Sequence, residues 1–279
     1  MNAYRSNLKK SVLTATTVMI AIAILVPIYM LIKYSISDVT TMNTGGRPIP
    51  LWPNHPTFGI FLYLFRDSEF WEVVGNSALI ALLTVVTTTL LSVPAGYVLA
   101  KHNFPFKRFI IVLLISVRLF PDIASVIPIA TLFVKLNLHS TYFGVVISHT
   151  LLALPYVIFM SHSAFEFVPK DLEEQAKVIG ANRFTIFFKI LIPVVFPSLV
   201  AGAIYTFLLS WDEFIFAHFL LDTGGQIQTL TLYLNQNLSF SPPQNILAAI
   251  SVCLSIPVMI FTFVVQRYMV SGLISGAVK

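Results

Sequence analysis

Six stretches of apolar residues, each about as long as a bilayer is thick once coiled into helix, decide what this chain can fold into. They run roughly over residues 12–32, 77–100, 109–134, 142–160, 194–221 and 246–265, each near the ~20 residues a helix needs to cross the hydrocarbon core. Backbone N–H and C=O groups find no water in lipid, so a spanning segment must satisfy them internally, and helix does so. A barrel would need strands about ten residues long with strict alternation, a pattern the sequence lacks. Only 10% of residues are charged, where a soluble domain carries about a quarter; that is too little charge to cover a water-facing surface. The expectation is an all-α membrane protein with six transmembrane helices, a single transmembrane domain over residues 1–279. Pro27, Pro94, Pro121, Pro128, Pro155 and Pro257 fall inside spans, where membrane helices tolerate them as kinks. The single cysteine, Cys253, allows no internal disulfide and leaves the redox compartment open.

Lysine and arginine set the orientation. With the N-terminus in the cytoplasm, Arg5, Lys9 and Lys10, then Lys101, Lys107 and Arg108, then Lys170, Lys177, Arg183 and Lys189, and finally Arg267 and Lys279 all lie inside. Only Lys33, Arg47, Arg66 and Lys135 lie outside, and Arg118 sits within a span. The excess places both termini in the cytoplasm, which demands an even number of spans. The net charge of +5 is thereby assigned to membrane orientation, with the lipid bilayer and no nucleic acid as partner. The first span follows basic residues, as a secretory signal does, but its apolar stretch exceeds the ~7–15 residues of a signal core, so it reads as a retained signal-anchor. The first outside loop carries turn residues (Gly45, Gly46, Pro48, Pro50, Pro53, Pro56) and an aromatic patch over residues 58–65. That patch is either a short helix on the membrane surface or a loop packed on its own spans.

The inside segment 166–193 is the most informative. Asp171 followed by Glu174 has the spacing of a capping box at a helix start. Leu172, Ala176 and Ile179 then share a helical face. Gly180 can end that helix in the left-handed conformation, and Asn182 can cap the next one, which leads to Pro193. A short amphipathic helix, a glycine turn and a second helix entering the membrane make a compact knob suited to a groove on a partner.

These residues resemble the EAA loop of binding-protein-dependent ABC importer permeases: Glu174, Gln175 and Ala176, then Gly180, then Ile190, Ile192 and Pro193. Two positions depart from the pattern, with Gln175 where the family has alanine and Ile192 where it has leucine. The opening Asn76-Ser77 of span two, the Trp211-Asp212-Glu213-Phe214 run and the tail from Gln266 to Lys279 resemble the carbohydrate-uptake group, in particular the smaller permease of maltose-type systems. The resemblance implies a type I importer permease in the bacterial cytoplasmic (inner) membrane. It implies a second permease subunit, a paralogue of this one, together with a dimer of cytoplasmic ATPases and an external solute-binding protein. It also implies that Glu174, Gln175, Ala176, Gly180, Ile190 and Pro193 couple the chain to the ATPase. The sequence contains no G-x-x-x-x-G-K-[ST] phosphate loop, so no cofactor is expected on this chain; ATP and Mg²⁺ belong to the partner.

The remaining candidates keep two readings each. Arg118 and Asp122, four apart, can pair on one helix face; charges at membrane depth face a bundle interior or a wet cavity, so they either line the translocation path or hold a proline-kinked helix. Asp212 and Glu213 fall in the outer half of span five. As adjacent helical residues they would point about 100° apart and not converge on one bond, so contact with cargo or with the binding protein competes with interhelical hydrogen bonding. Trp211, Tyr205 and Phe207 can stack on a sugar ring or simply pack. Asn235, with Gln236 and Asn237, lies in the last outside loop and can touch cargo or the binding protein. His102, His149, His162 and His218 form no metal-ligand spacing, and no metal site is expected. An autonomous secondary transporter would leave the knob unexplained, and an intramembrane enzyme lacks a convergent catalytic set.

Overall fold

The computed structural model describes residues 2–38, 51–53, 55–222, 225–239 and 244–277, and the regular structure among them is helical. Helix α1 (Asn2–Ser35) carries the first apolar run, α2 (Gly59–Arg66) the aromatic patch and α3 (Ser68–Lys101) the second run. Helices α4 (Lys107–Val117) and α5 (Asp122–Lys135) share the third, and α6 (Tyr142–Glu166) is the fourth. After α7 (Lys170–Val178) comes α8 (Arg183–Asp212), the fifth. Then follow α9 (Ile215–Leu220), α10 (Leu230–Ser239) and α11 (Gln244–Ala277), the last carrying the sixth run. Five of these helices are long and apolar enough to cross a bilayer, and six if the α4–α5 pair counts as one span.

That pair corrects the expectation of one helix over 109–134. The two halves bend by 98° at the break, more than a proline kink. Pro121 is the cause: it N-caps α5 in an extended conformation (φ −61°, ψ 133°), and a proline pushes the residue before it out of the helical region. The fifth span also differs from 194–221. It starts at Arg183 and passes through a π-helical turn, Ile186–Leu191. Pro193 has no N–H to offer the preceding turn and its ring crowds that turn's carbonyl, which the widened turn accommodates. The helix stops at Asp212 because Glu213 turns extended (φ −70°, ψ 128°). Finally, Asn235, Gln236 and Asn237 lie on α10 and not in a loop. Gly45, Gly46, Arg47, Pro48 and Pro50 of the first outside loop, and Val278 and Lys279 of the tail, lie outside the described residues.

The chain forms two compact units. The first comprises Met1–Phe70 and Leu234–Ile256. In it, the Asn245 side chain donates to the Ser37 carbonyl (3.2 Å), and Phe58, Phe61, Phe65 and Phe70 form a ladder of rings at centroid spacings of 6.3–6.4 Å. Leu64 is buried while Leu62 and Tyr63 on the same helix are exposed, so α2 packs one face and leaves the other bare.

The second unit comprises Trp71–Tyr233 and Pro257–Lys279. Among the described residues it has an apolar cluster at each end of α6. At the α6 start, Val126, Val145, Phe216, Leu220 and Leu232 pack together; at its close, Val93, Phe165, Ile186, Leu191 and Val195 do. Beside the second cluster α3 and α6 approach closely: a β-carbon on Gly96 would lie 2.5 Å from that of Ser161. Small residues at such a crossing are how membrane helices gain packing without a hydrophobic driving force.

Candidate functional site

The knob forms between α6 and α8. Helix α7 starts at Pro169 with no side-chain cap, and Asp171 sits in its first turn; this corrects the capping-box expectation, since proline's fixed φ already presets the helix start. Asp171 still favours the helix, because a carboxylate there meets the positive end of the dipole. At the far end Gly180 takes φ +90°. Its N–H reaches the Lys177 carbonyl (2.9 Å), and the Ala181 N–H reaches that of Ala176 (3.0 Å). The two bonds make a Schellman motif, in which glycine avoids the Cβ penalty of the left-handed region. Asn182 then caps α8 as expected, its side-chain oxygen accepting from the Thr185 N–H (2.8 Å).

Helix α7 turns a mixed face inward. Glu173 and Ala176 point inward, while Leu172, Glu174, Gln175, Val178 and Ile179 are exposed, Ile179 at 86%. Ala176 joins the cluster of Phe165, Ile186 and Leu191, with Ile190 partly buried beside it. Glu173 pairs with Lys101 at the end of α3 (3.0 Å), and the Lys101 ammonium also donates to the Val168 carbonyl (2.7 Å). Leu172, Gln175, Ile179, Gly180, Thr185 and Ile190 line a groove of about 530 Å³ against α8. Pro193 lies exposed in the first α-helical turn past the π turn. The knob thus offers two acids, Asp171 and Glu174, amid bare apolar side chains, on a helix pinned from behind.

At the opposite end of this unit, Arg118 and Asp122 pair (3.6 Å) across the break between α4 and α5. Each sits where the break needs it: the guanidinium at the closing carbonyls of α4, the carboxylate at the opening N–H groups of α5. Tyr205 sets its ring 4.3 Å from that of Tyr156. Arg118, Asp122, Asp212 and Glu213 line a cleft of about 420 Å³ with Leu208 and Leu209. Asp212 is exposed at the closing carbonyls of α8, an unfavourable place for a carboxylate.

Glu213 is held. Its carboxylate accepts from the Phe216 and Ala217 N–H groups (2.8 and 3.0 Å), so it caps α9 from outside the helix, and it meets His149 Nε2 at 3.1 Å. His149 Nδ1 lies 2.7 Å from Ser210 Oγ, and Thr231 donates to the Glu213 carbonyl (2.8 Å). His149 is wholly buried. Trp211 is buried too, stacked on Phe207 at 5.8 Å. Asn76 binds the Gln228 carbonyl and receives the Tyr142 hydroxyl, while Ser77 accepts from the Leu230 N–H. The structure therefore gathers Arg118, Asp122, Asp212 and Glu213 at one cleft, keeps Trp211 out of it as packing, and places Asn235 in the other unit. Lys101, Glu173, His149 and Ser210 are the residues that sequence reasoning missed. Glu173 alone left a signal, its three-residue spacing from Ala176 on the buried face.

Comparison with known proteins adds the following. A family model described as binding-protein-dependent transport system inner membrane component matches residues 92–275. The trehalose transport system permease protein SugB of Mycobacterium tuberculosis is 32% identical, over 91% of this chain and 92% of that protein. The arabinooligosaccharides transport system permease protein AraQ of Halalkalibacterium halodurans is 31% identical, over 96% and 95%. Among solved structures, a chain of a bacterial ABC transporter involved in the import of the acidic polysaccharide alginate superposes with a TM-score of 0.80 at 25% identity, covering 95% of this chain and 98% of its own.

Proposed function

The chain belongs to the family of binding-protein-dependent transport system inner membrane components and is the permease subunit of an ABC importer, and from that premise we propose how its parts divide the work. Helix α7 is the face on which a separate ATPase docks, with Glu174, Gln175, Gly180 and the exposed Ile179 meeting its groove. The observation that carries this is the reversed polarity of α7: the apolar residues one would bury are bare, while an acid, Glu173, is buried. A helix fixed from behind with its apolar side outward is built to be covered by a partner.

The lysine and arginine distribution supports an orientation with α7 and both termini in the cytosol. The ATPase is a dimer that holds ATP and Mg²⁺. A paralogous second permease completes the pathway, and an external solute-binding protein delivers the cargo. The family resemblance and the sugars in the names of SugB and AraQ support a sugar, glycoside or polyol as that cargo. ATP closure of the ATPase dimer carries α7 with it and rocks the spans between inward-open and outward-open states, as rigid helix bundles do about a central site. The Arg118–Asp122–Asp212 cleft lines the path or receives the binding protein.

Glu174→Lys tests the docking face. Its side chain is exposed, so the variant should insert and melt as the native chain does, within about 0.5 kcal/mol, yet fail to co-purify with the ATPase. Normal co-purification and normal uptake would sink the assignment. Ligand binding to the cognate solute-binding protein identifies the cargo.

A further inference from the structure

We propose that Lys101 and Glu173 are positioning residues that lock α3 to α7, so that a displacement imposed on α7 reaches the spans through α3 as well as along the chain. The proposal rests on the docking reading of α7 and asks what transmits the motion once docking has occurred.

Along the chain, α7 is tied to α6 through Pro169 and to α8 through Gly180, two turns at which direction changes. Helix α3 has no such link to α7. What joins them is apolar packing, with Val93, Ala100 and Ala176 in one cluster, and the Lys101–Glu173 pair. Apolar contacts are non-directional and allow sliding; the pair does not. Lys101 Nζ is forked between Glu173 Oε1 (3.0 Å), inside α7, and the Val168 carbonyl (2.7 Å), just before it. An ion-pair contact and a hydrogen bond, one on either side of Pro169, tether the start of α7 to the end of α3. The charges also suit their helices, an ammonium at the closing end of α3 and a carboxylate in the first turn of α7.

Burial argues for a directional role. The two side chains are only 7% and 11% exposed. A buried ion pair is a weak source of net stability, since apolar residues of similar volume often do as well or better. Glu173 and Glu174 are neighbours with opposite duties: the first faces inward to the strut, the second outward to the partner.

The test is made on the assembled importer in lipid nanodiscs, with Cys253→Ser to remove the native thiol. Spin labels are placed at Val86→Cys on α3 and Lys177→Cys on α7, both exposed in this chain, and their separation is read without nucleotide and after trapping with ATP and vanadate. The unsubstituted pair should keep that distance within about 2 Å, the scale of an ordinary helix shift. With Glu173→Gln the ATPase should stay bound while the distance changes on trapping by about one helical turn, ~5 Å. A pair that only stabilised the fold would lower the melting temperature and leave the distance constant. If Glu173→Gln does not accumulate, Lys101→Met with Glu173→Leu removes both charges together and carries the same expectation. A ~5 Å change in the unsubstituted importer, or constancy in the variant, overturns the proposal. Failure of the unsubstituted chain to hold the ATPase would instead sink the docking reading.

Discussion

The two ends of the second unit are held together in opposite ways. At the knob, the hydrogen bonds that shape the turn close locally: Gly180 to Lys177, Ala181 to Ala176, Thr185 to Asn182. At the cleft end they join distant parts of the chain, with His149 to Ser210 and Glu213 separated by 61 and 64 residues, and Asn76 to Gln228 by 152. A surface that presents itself to a partner must hold its shape without one, so its turn is built from neighbours in sequence and pinned by the long-range Lys101 strut. The cleft end is a tertiary knot, where Glu213, just past the end of α8, caps α9 and meets the buried His149 of α6.

The largest effect expected from this contrast is at Glu213. Glu213→Ala leaves the Phe216 and Ala217 N–H groups and the buried His149 without their acceptor. Each orphaned buried group costs about 1–3 kcal/mol, so a loss of several kcal/mol should appear as a lowered melting temperature of the detergent-solubilised protein. An unchanged melting temperature with uptake abolished would break the comparison, because the cleft end would then be a working site and not a knot. Gly180→Trp comes next. A side chain at φ +90° costs about 1–2 kcal/mol, and open space around the glycine means that strain, and not collision, is the stability term. The indole also projects beside the docking face, so uptake and ATPase co-purification should fall about tenfold or more, as even ~1.4 kcal/mol would give, while membrane insertion is retained. Rescue by Gly180→Asn, the residue that best tolerates this conformation after glycine, would sharpen the case for the turn.

The same contrast explains what could be read in advance. The spans, the glycine stop and the Asn182 cap were legible because they are written in runs and short spacings. The third span was not, because Pro121 is one of seven prolines inside apolar runs, and nothing in the spacing marks it as the one that carries a 98° bend with Arg118 and Asp122 paired across it. The inward turn of Glu173 was not legible for a related reason. Periodicity groups Leu172, Ala176 and Ile179 on one face, and it takes Lys101, remote in sequence, to turn Glu173 inward. His149 left no trace, since a lone histidine in an apolar run carries no spacing to a partner 64 residues away.

The smallest effects separate the two ends most cleanly. Each carries a side-chain N-cap of ordinary geometry: Thr141 accepts from the Gly144 N–H (3.0 Å) at the start of α6, and Asn182 accepts from the Thr185 N–H (2.8 Å) at the start of α8. Removal of either, as Thr141→Ala or Asn182→Ala, should cost about 1 kcal/mol, and the two should lower the melting temperature alike. They should differ in binding. Asn182 lines the groove behind α7, so its loss loosens the knob and should weaken ATPase co-purification a few-fold, whereas Thr141 stands at the other end of α6 and should leave that interaction untouched. Equal weakening by both would mean that docking senses global stability. Weakening by Asn182→Ala alone would mean that the knob's own turn is the element the ATPase reads, since two caps of equal strength then differ only in where they sit.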